Sequence, residues 1–177
     1  MEGRTHAWVG LVVRLLTGGV WIVAGALKVA NPVGSIEAVR AYDLLPWSVV
    51  EPLGYALPAI EIVVGVALVV GVFTRGAAVV SALLFVAFII GIASVWARGI
   101  EIDCGCFGGG GPKEDAASSY PWEIARDAVL LIASCYLVVV RRTRFALDNV
   151  LFPSRGPGSP DSPDSPAPDP DPVEQGT

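Results

Sequence analysis

Two cysteines one residue apart stand out in this chain, in Ile102-Asp103-Cys104-Gly105-Cys106-Phe107-Gly108, followed by Gly109, Gly110 and Gly111. Thiols this close can cycle between dithiol and disulfide. Gly105 allows the tight backbone that bridging such neighbours requires. A bridge across one intervening residue is expected to be strained, and strained bridges tend to be catalytic or labile rather than structural. The glycine run is expected to leave the pair accessible to a partner protein. A static bridge, two idle thiols and a two-thiolate Cu(I) site remain open, since soft ligands select that ion. A closed zinc site needs four ligands. His6 is the only histidine and lies far from the pair in sequence, so no metal site is assigned. No Gly-Lys-Ser/Thr follows the glycines, so they are not a phosphate loop.

A second set of residues could do chemistry because of where it falls. Lys28, Glu61, Arg126 and Asp127 lie within or at the edges of long apolar stretches. Ionisable groups in such places usually face the interior and one another. Lys28, Glu61 and Arg126, with Asp127 beside them, are expected to form a polar site beneath the cysteine pair. That site could tune thiol pKa, carry protons or bind a quinone headgroup, or it could simply fix helix packing. Arg14 is expected to snorkel to headgroups at the opposite end. Cys135 is expected to be a buried structural thiol.

The elements that must position these groups are apolar helices. The chain is 53% hydrophobic and 16% charged, with a mean hydropathy of +0.60. A soluble domain carries about 25% charged residues, which argues against an ordinary soluble globule. Four stretches carry the apolar residues, near 7–30, 53–73, 77–97 and 121–140. Each approaches the ~20 residues a helix needs to cross a bilayer. The sequence therefore predicts an all-α integral membrane four-helix bundle over residues 1–152. A signal peptide fits the first stretch poorly, because Arg4 stands alone before it and Arg14 interrupts it.

Residues 153–177 hold eight prolines and five acids against Arg155. Such a stretch cannot bury enough surface to fold, so it is expected to be a disordered, solvated tail. It accounts for −4 of the formal net charge of −5, leaving −1 for residues 1–152. That balance argues against a nucleic-acid partner, which needs a basic face. Arg4, Arg75, Arg141, Arg142 and Arg144 collect on one side of the expected bundle. Arg40, Arg98 and Lys113 sit in longer loops on the other. The denser basic side is expected to be cytoplasmic in a bacterial inner membrane, with both termini inside and the cysteines outside. Trp47, Trp96 and Trp122 would anchor the outer interface and Trp8 the inner one.

The order of motifs resembles the MauE/DoxX family of four-helix membrane proteins. The resemblance rests on Arg14-Leu15-Leu16, Ala24-Gly25-Ala26-Leu27-Lys28, Tyr42 with Leu44-Leu45-Pro46, Leu57-Pro58-Ala59-Ile60-Glu61, the Cys104–Gly108 block, and Trp122 with Arg126-Asp127. It spans roughly residues 8–140, and the cysteines point to the MauE branch. The resemblance implies a redox-associated membrane protein linked to methylamine utilisation and to maturation of a disulfide-rich exported enzyme. It also implies an exported thioredoxin-like partner. Relatives on the DoxX side imply quinone coupling. The expected activity is thiol–disulfide exchange between Cys104/Cys106 and that partner. A non-enzymatic assembly factor and a metal or small-solute transporter are the alternatives.

Overall fold

The computed structural model describes residues 2–139, with side chains from Trp8 onward. The acidic tail, Arg141, Arg142, Arg144 and the His6 side chain lie outside the described residues. The described chain is all-α: α1 (Glu2–Ala30), α2 (Pro32–Ala41), α3 (Trp47–Val70), α4 (Thr74–Ala97) and α5 (Tyr120–Val139), with a 3₁₀ turn at Ala116–Ser118. Among the described residues, extended pairing is limited to one isolated bridge, Ile102 with Pro112.

Helices α1, α3, α4 and α5 close a four-membered ring, α1 on α3, α3 on α4, α4 on α5 and α5 back on α1. The segment Trp8–Ala30 of α1, and all of α3 and α4, are long and apolar enough to cross a membrane. Helix α5 has 20 residues but carries Glu123, Arg126 and Asp127 in its first two turns.

The segment 31–52, expected as a loop, holds α2 and the first turns of α3, which starts six residues earlier than the apolar stretch suggested. Asn31-Pro32 explains the break after α1. Residues before proline disfavour the helical region, and proline suits the first position of a new helix. Asn31 Oδ1 accepts the Gly34 N–H at 3.1 Å, a side-chain N-cap.

Helix α2 is tied to α3 by a consequence of Pro58. Proline has no N–H, so the carbonyl of Gly54, four residues earlier, loses its helical donor. Ser35 Oγ donates to that carbonyl at 2.9 Å. Helices α1 and α3 meet backbone to backbone, since a Cβ on Gly18 would lie 2.8 Å from the Gly65 carbonyl oxygen. Small residues at membrane helix interfaces allow such approach.

The core between the helices is partly polar. Trp21 packs on Phe85 at 4.5 Å between ring centroids and donates its indole N–H to Ser81 Oγ at 2.7 Å. Ser81 and Ser134 share a 2.8 Å hydrogen bond, and Ser134 donates to the Leu130 carbonyl at 2.9 Å. Arg14 corrects one expectation. Its side chain is 1% exposed and faces the bundle interior rather than snorkelling. Arg14, Trp21 and Lys28 recur every seven residues, two helical turns, and so share one inward face.

Candidate functional site

The cysteines sit in the connection between α4 and α5, which folds back on itself. Asp103 N–H donates to the Gly111 carbonyl at 3.0 Å and Lys113 N–H to that of Glu101 at 3.3 Å. Buried Tyr120, at the start of α5, pins the base, its hydroxyl accepting the Ile102 N–H at 2.9 Å. Within the tip, Asp103 Oδ1 accepts the Gly105 N–H at 3.0 Å.

The glycines of this hairpin serve close packing rather than exposure. Gly105 has φ +66°, and a Cβ there would lie 2.5 Å from Ala38 Cβ on α2. Gly110 fits against the Gly34 carbonyl and Ala38. Cys104 and Cys106 are therefore only 9% and 6% exposed, which corrects the expectation of an accessible pair. The two are unbridged thiols in this structure.

The thiols are not equivalent. Cys106 N–H points at Cys104 Sγ, 3.5 Å away. Hydrogen bonding from the Cys106 thiol and this N–H holds Cys104 below the ordinary thiol range, against burial and the nearby carboxylates Glu123 and Asp103. Cys106, the donor, is pushed well above that range by the same bond and by burial, with Arg126 pulling the other way. The pair should therefore alkylate through Cys104, with a rate midpoint below the ordinary thiol value. In Cys106→Ala that midpoint should rise, because the donating thiol is gone. Iodoacetamide rates measured against pH test this, and an unmoved midpoint would sink it.

Tyr42, at the C-cap of α2, donates its hydroxyl to the Cys104 carbonyl at 2.8 Å. Burial, and then the neighbouring thiols, keep that phenol protonated far above its usual range. Arg98 Nη2 donates to the Tyr42 carbonyl. Sequence motifs marked Tyr42 without giving it a role. Its place depends on α2, for which Asn31-Pro32 was the available signal.

The four ionisable residues beneath the hairpin resolve into two pairs. Lys28 Nζ donates to Glu61 Oε1, with side chains 2% and 0% exposed. Lys28 also lies over the Phe88 ring, 5.1 Å from its centroid. Arg126 grips its neighbour Asp127 through Nε and Nη2 at 3.0 and 2.9 Å. The Arg126 guanidinium lies 4.9 Å from the centroid of Phe107, next to Cys106. Lys28, Tyr42 and Cys104 line one cavity of about 250 Å³. Cys135 does not belong here. It is exposed on the outer face of α5, because buried Ser134 takes the inward position and the next residue turns away by about 100°. Among the described residues, no group of three or more His, Cys, Asp or Glu is arranged to hold a metal ion.

Apolar helices in a ring, a dithiol seated on one end and a buried ion pair beneath it define a helical membrane protein with a thiol site next to a polar one. The chain belongs to the MauE family: the family model described as methylamine utilisation protein MauE matches residues 6–140. Membership fits a membrane protein associated with methylamine utilisation. No curated protein and no solved structure matches the chain.

Proposed function

We propose that this MauE-family chain is a membrane thiol–disulfide redox protein. Cys104 and Cys106 exchange electrons with an extracytoplasmic thioredoxin-like partner and, through the cavity at Lys28, with a membrane quinone. The observation that carries this reading is that the lower-pKa thiol, Cys104, lines the same apolar cavity as Lys28 and Tyr42. Pockets for drug-sized ligands span about 300–1,000 Å³, so a cavity of about 250 Å³ suits a single ring with its tail in lipid. The quinone supplies a two-electron, two-proton couple. As the pair forms its S–S bond, two electrons and two protons leave the thiols. Lys28 and Tyr42 place positive charge and polarity beside that ring, and the leucines of the cavity exclude water.

In this reading α5 is the fourth span, with Val129, Ile132 and Val139 facing lipid. The termini are cytoplasmic and the cysteine hairpin lies outside in a bacterial inner membrane. Trp47, Trp96 and Trp122, all exposed, suit that outer interface, and exposed Trp8 the inner one. Residues 1–152 form the membrane body and 153–177 an appended tail. The methylamine association suggests that the exchange supports maturation of an exported, disulfide-rich enzyme.

Thiol alkylation in intact cells, with and without a membrane-impermeant blocker, tests location and redox state together. The expected result is an outward-facing pair found partly oxidised. A pair that stays reduced under all conditions, with full activity retained in Cys104→Ser/Cys106→Ser, would favour a non-enzymatic assembly role.

A further inference from the structure

The two sulfurs face different surroundings. Cys104 lines the cavity with Lys28, Tyr42 and Phe88, whereas Cys106 is absent from its walls and lies by Phe107 and Arg126. The cavity's other walls include Leu53 and Leu57 of α3 and Ala87 of α4. It reaches the surface at Ala87, Leu44 and Leu45, all exposed and all apolar. Ala87 lies on α4, opposite the α3 walls, and Leu44 and Leu45 lie in the connection from α2 to α3, so the exposed part of the lining is on the side of the bundle.

Resting on the redox reading above, we infer that the cysteines divide the work. Cys104 is the membrane-side sulfur, reached by a lipophilic quinone that enters from the bilayer past Ala87. Cys106, buried beside the exposed Phe107, is the sulfur that takes the partner's thiol once the hairpin tip lifts from its seat. A reduced partner's thiolate attacks Cys106 Sγ. The Cys104–Cys106 bond breaks, Cys104 leaves as thiolate, and a partner–Cys106 disulfide forms. The partner's second thiol then attacks its own sulfur in that bond. Cys106 leaves and takes up a proton, and the partner departs with a new disulfide. Two electrons pass from the pair to the quinone, together with the Cys106 proton and the other proton released by the partner's thiols, and the quinone becomes the quinol as the Cys104–Cys106 bond re-forms. The direction of attack follows the leaving group, since the lower-pKa thiol leaves faster and Cys104 is the one stabilised as thiolate.

The full chain in nanodiscs tests both halves. Reduced glutathione added to the oxidised protein, with an acid quench, should leave an adduct on Cys106 in about tenfold excess over Cys104. An adduct mainly on Cys104 overturns the division. With a decyl-substituted benzoquinone as acceptor and dithiothreitol as donor, Ala87→Trp should slow quinone reduction by about tenfold or more by filling the mouth. Oxidation of the pair by water-soluble diamide should be unchanged in that variant, which shows that the fold survives. Quinone reduction at the unmodified rate in Ala87→Trp overturns the entry route. Failure of the wild-type pair to form any bridge or adduct is a separate outcome, and it removes the redox reading along with this one.

Discussion

Lys28→Met is expected to destabilise the protein by about 3–5 kcal/mol, the usual cost of breaking a buried ion pair from one side. Glu61 is fully buried, and its Oε2 has no hydrogen-bond partner. Without Lys28 it must hold an uncompensated charge or take up a proton inside the bundle. Lys28→Met/Glu61→Leu removes both charges, and such replacements by apolar groups are often neutral or stabilising. Thermal unfolding in detergent should therefore show a large loss in the single variant and recovery in the double. Activity should behave differently. If Lys28 serves the cavity that Cys104 lines, quinone-dependent turnover stays low in both variants. Full turnover in the double variant would reduce the pair to a packing device.

Gly105→Ala is expected to raise the alkylation rate of the cysteine pair by about tenfold or more, as a strained and crowded tip lifts off its seat. Two costs act together. Gly105 has φ +66°, which a Cβ disfavours, and the added carbon would lie 2.5 Å from Ala38 Cβ. The tip is held by few bonds, chiefly Tyr42 to the Cys104 carbonyl and Asp103 to the Gly105 N–H. Lifting breaks the first and uncovers both sulfurs. Adding Ala38→Gly should relieve the contact but leave the backbone strain, so protection should return only in part. Alkylation in Gly105→Ala at the wild-type rate would mean that the seat does not shelter the thiols.

Much of the bundle was legible because long apolar stretches declare membrane helices by length and composition. The faces of those helices were harder to read. In a helix that is apolar all round, hydropathy does not say which side points inward. The seven-residue spacing of rare polar residues does. Asp127 and Ser134 on α5 share a face, as do Arg14, Trp21 and Lys28 on α1. That spacing would have turned Arg14 inward and Cys135 outward. The cysteine motif was found, but its burial was not. Glycines in a row read as an open loop when their neighbours are unknown. Here Gly105 and Gly110 let the hairpin rest on α2, and Gly108 lets it rest on Leu27 of α1. The Lys28–Glu61 contact followed from the rule that buried charges seek partners. Arg126 instead pairs with adjacent Asp127, a local solution that reasoning from depth does not anticipate.

The bond from Ser35 to the Gly54 carbonyl also bears on how the chain is assembled. Pro58 creates that free acceptor, and Ser35 lies 19 residues before Gly54, so α2 and α3 can join as soon as both have been synthesised. The cysteines come more than 40 residues after Pro58, beyond all of α4. In a chain made from its N-terminus, the α2 surface on which the hairpin rests is thus complete before the thiols emerge. Cys104 and Cys106 meet a finished surface, which shortens the interval in which a newly made dithiol stands open to stray oxidants or to the wrong cysteine.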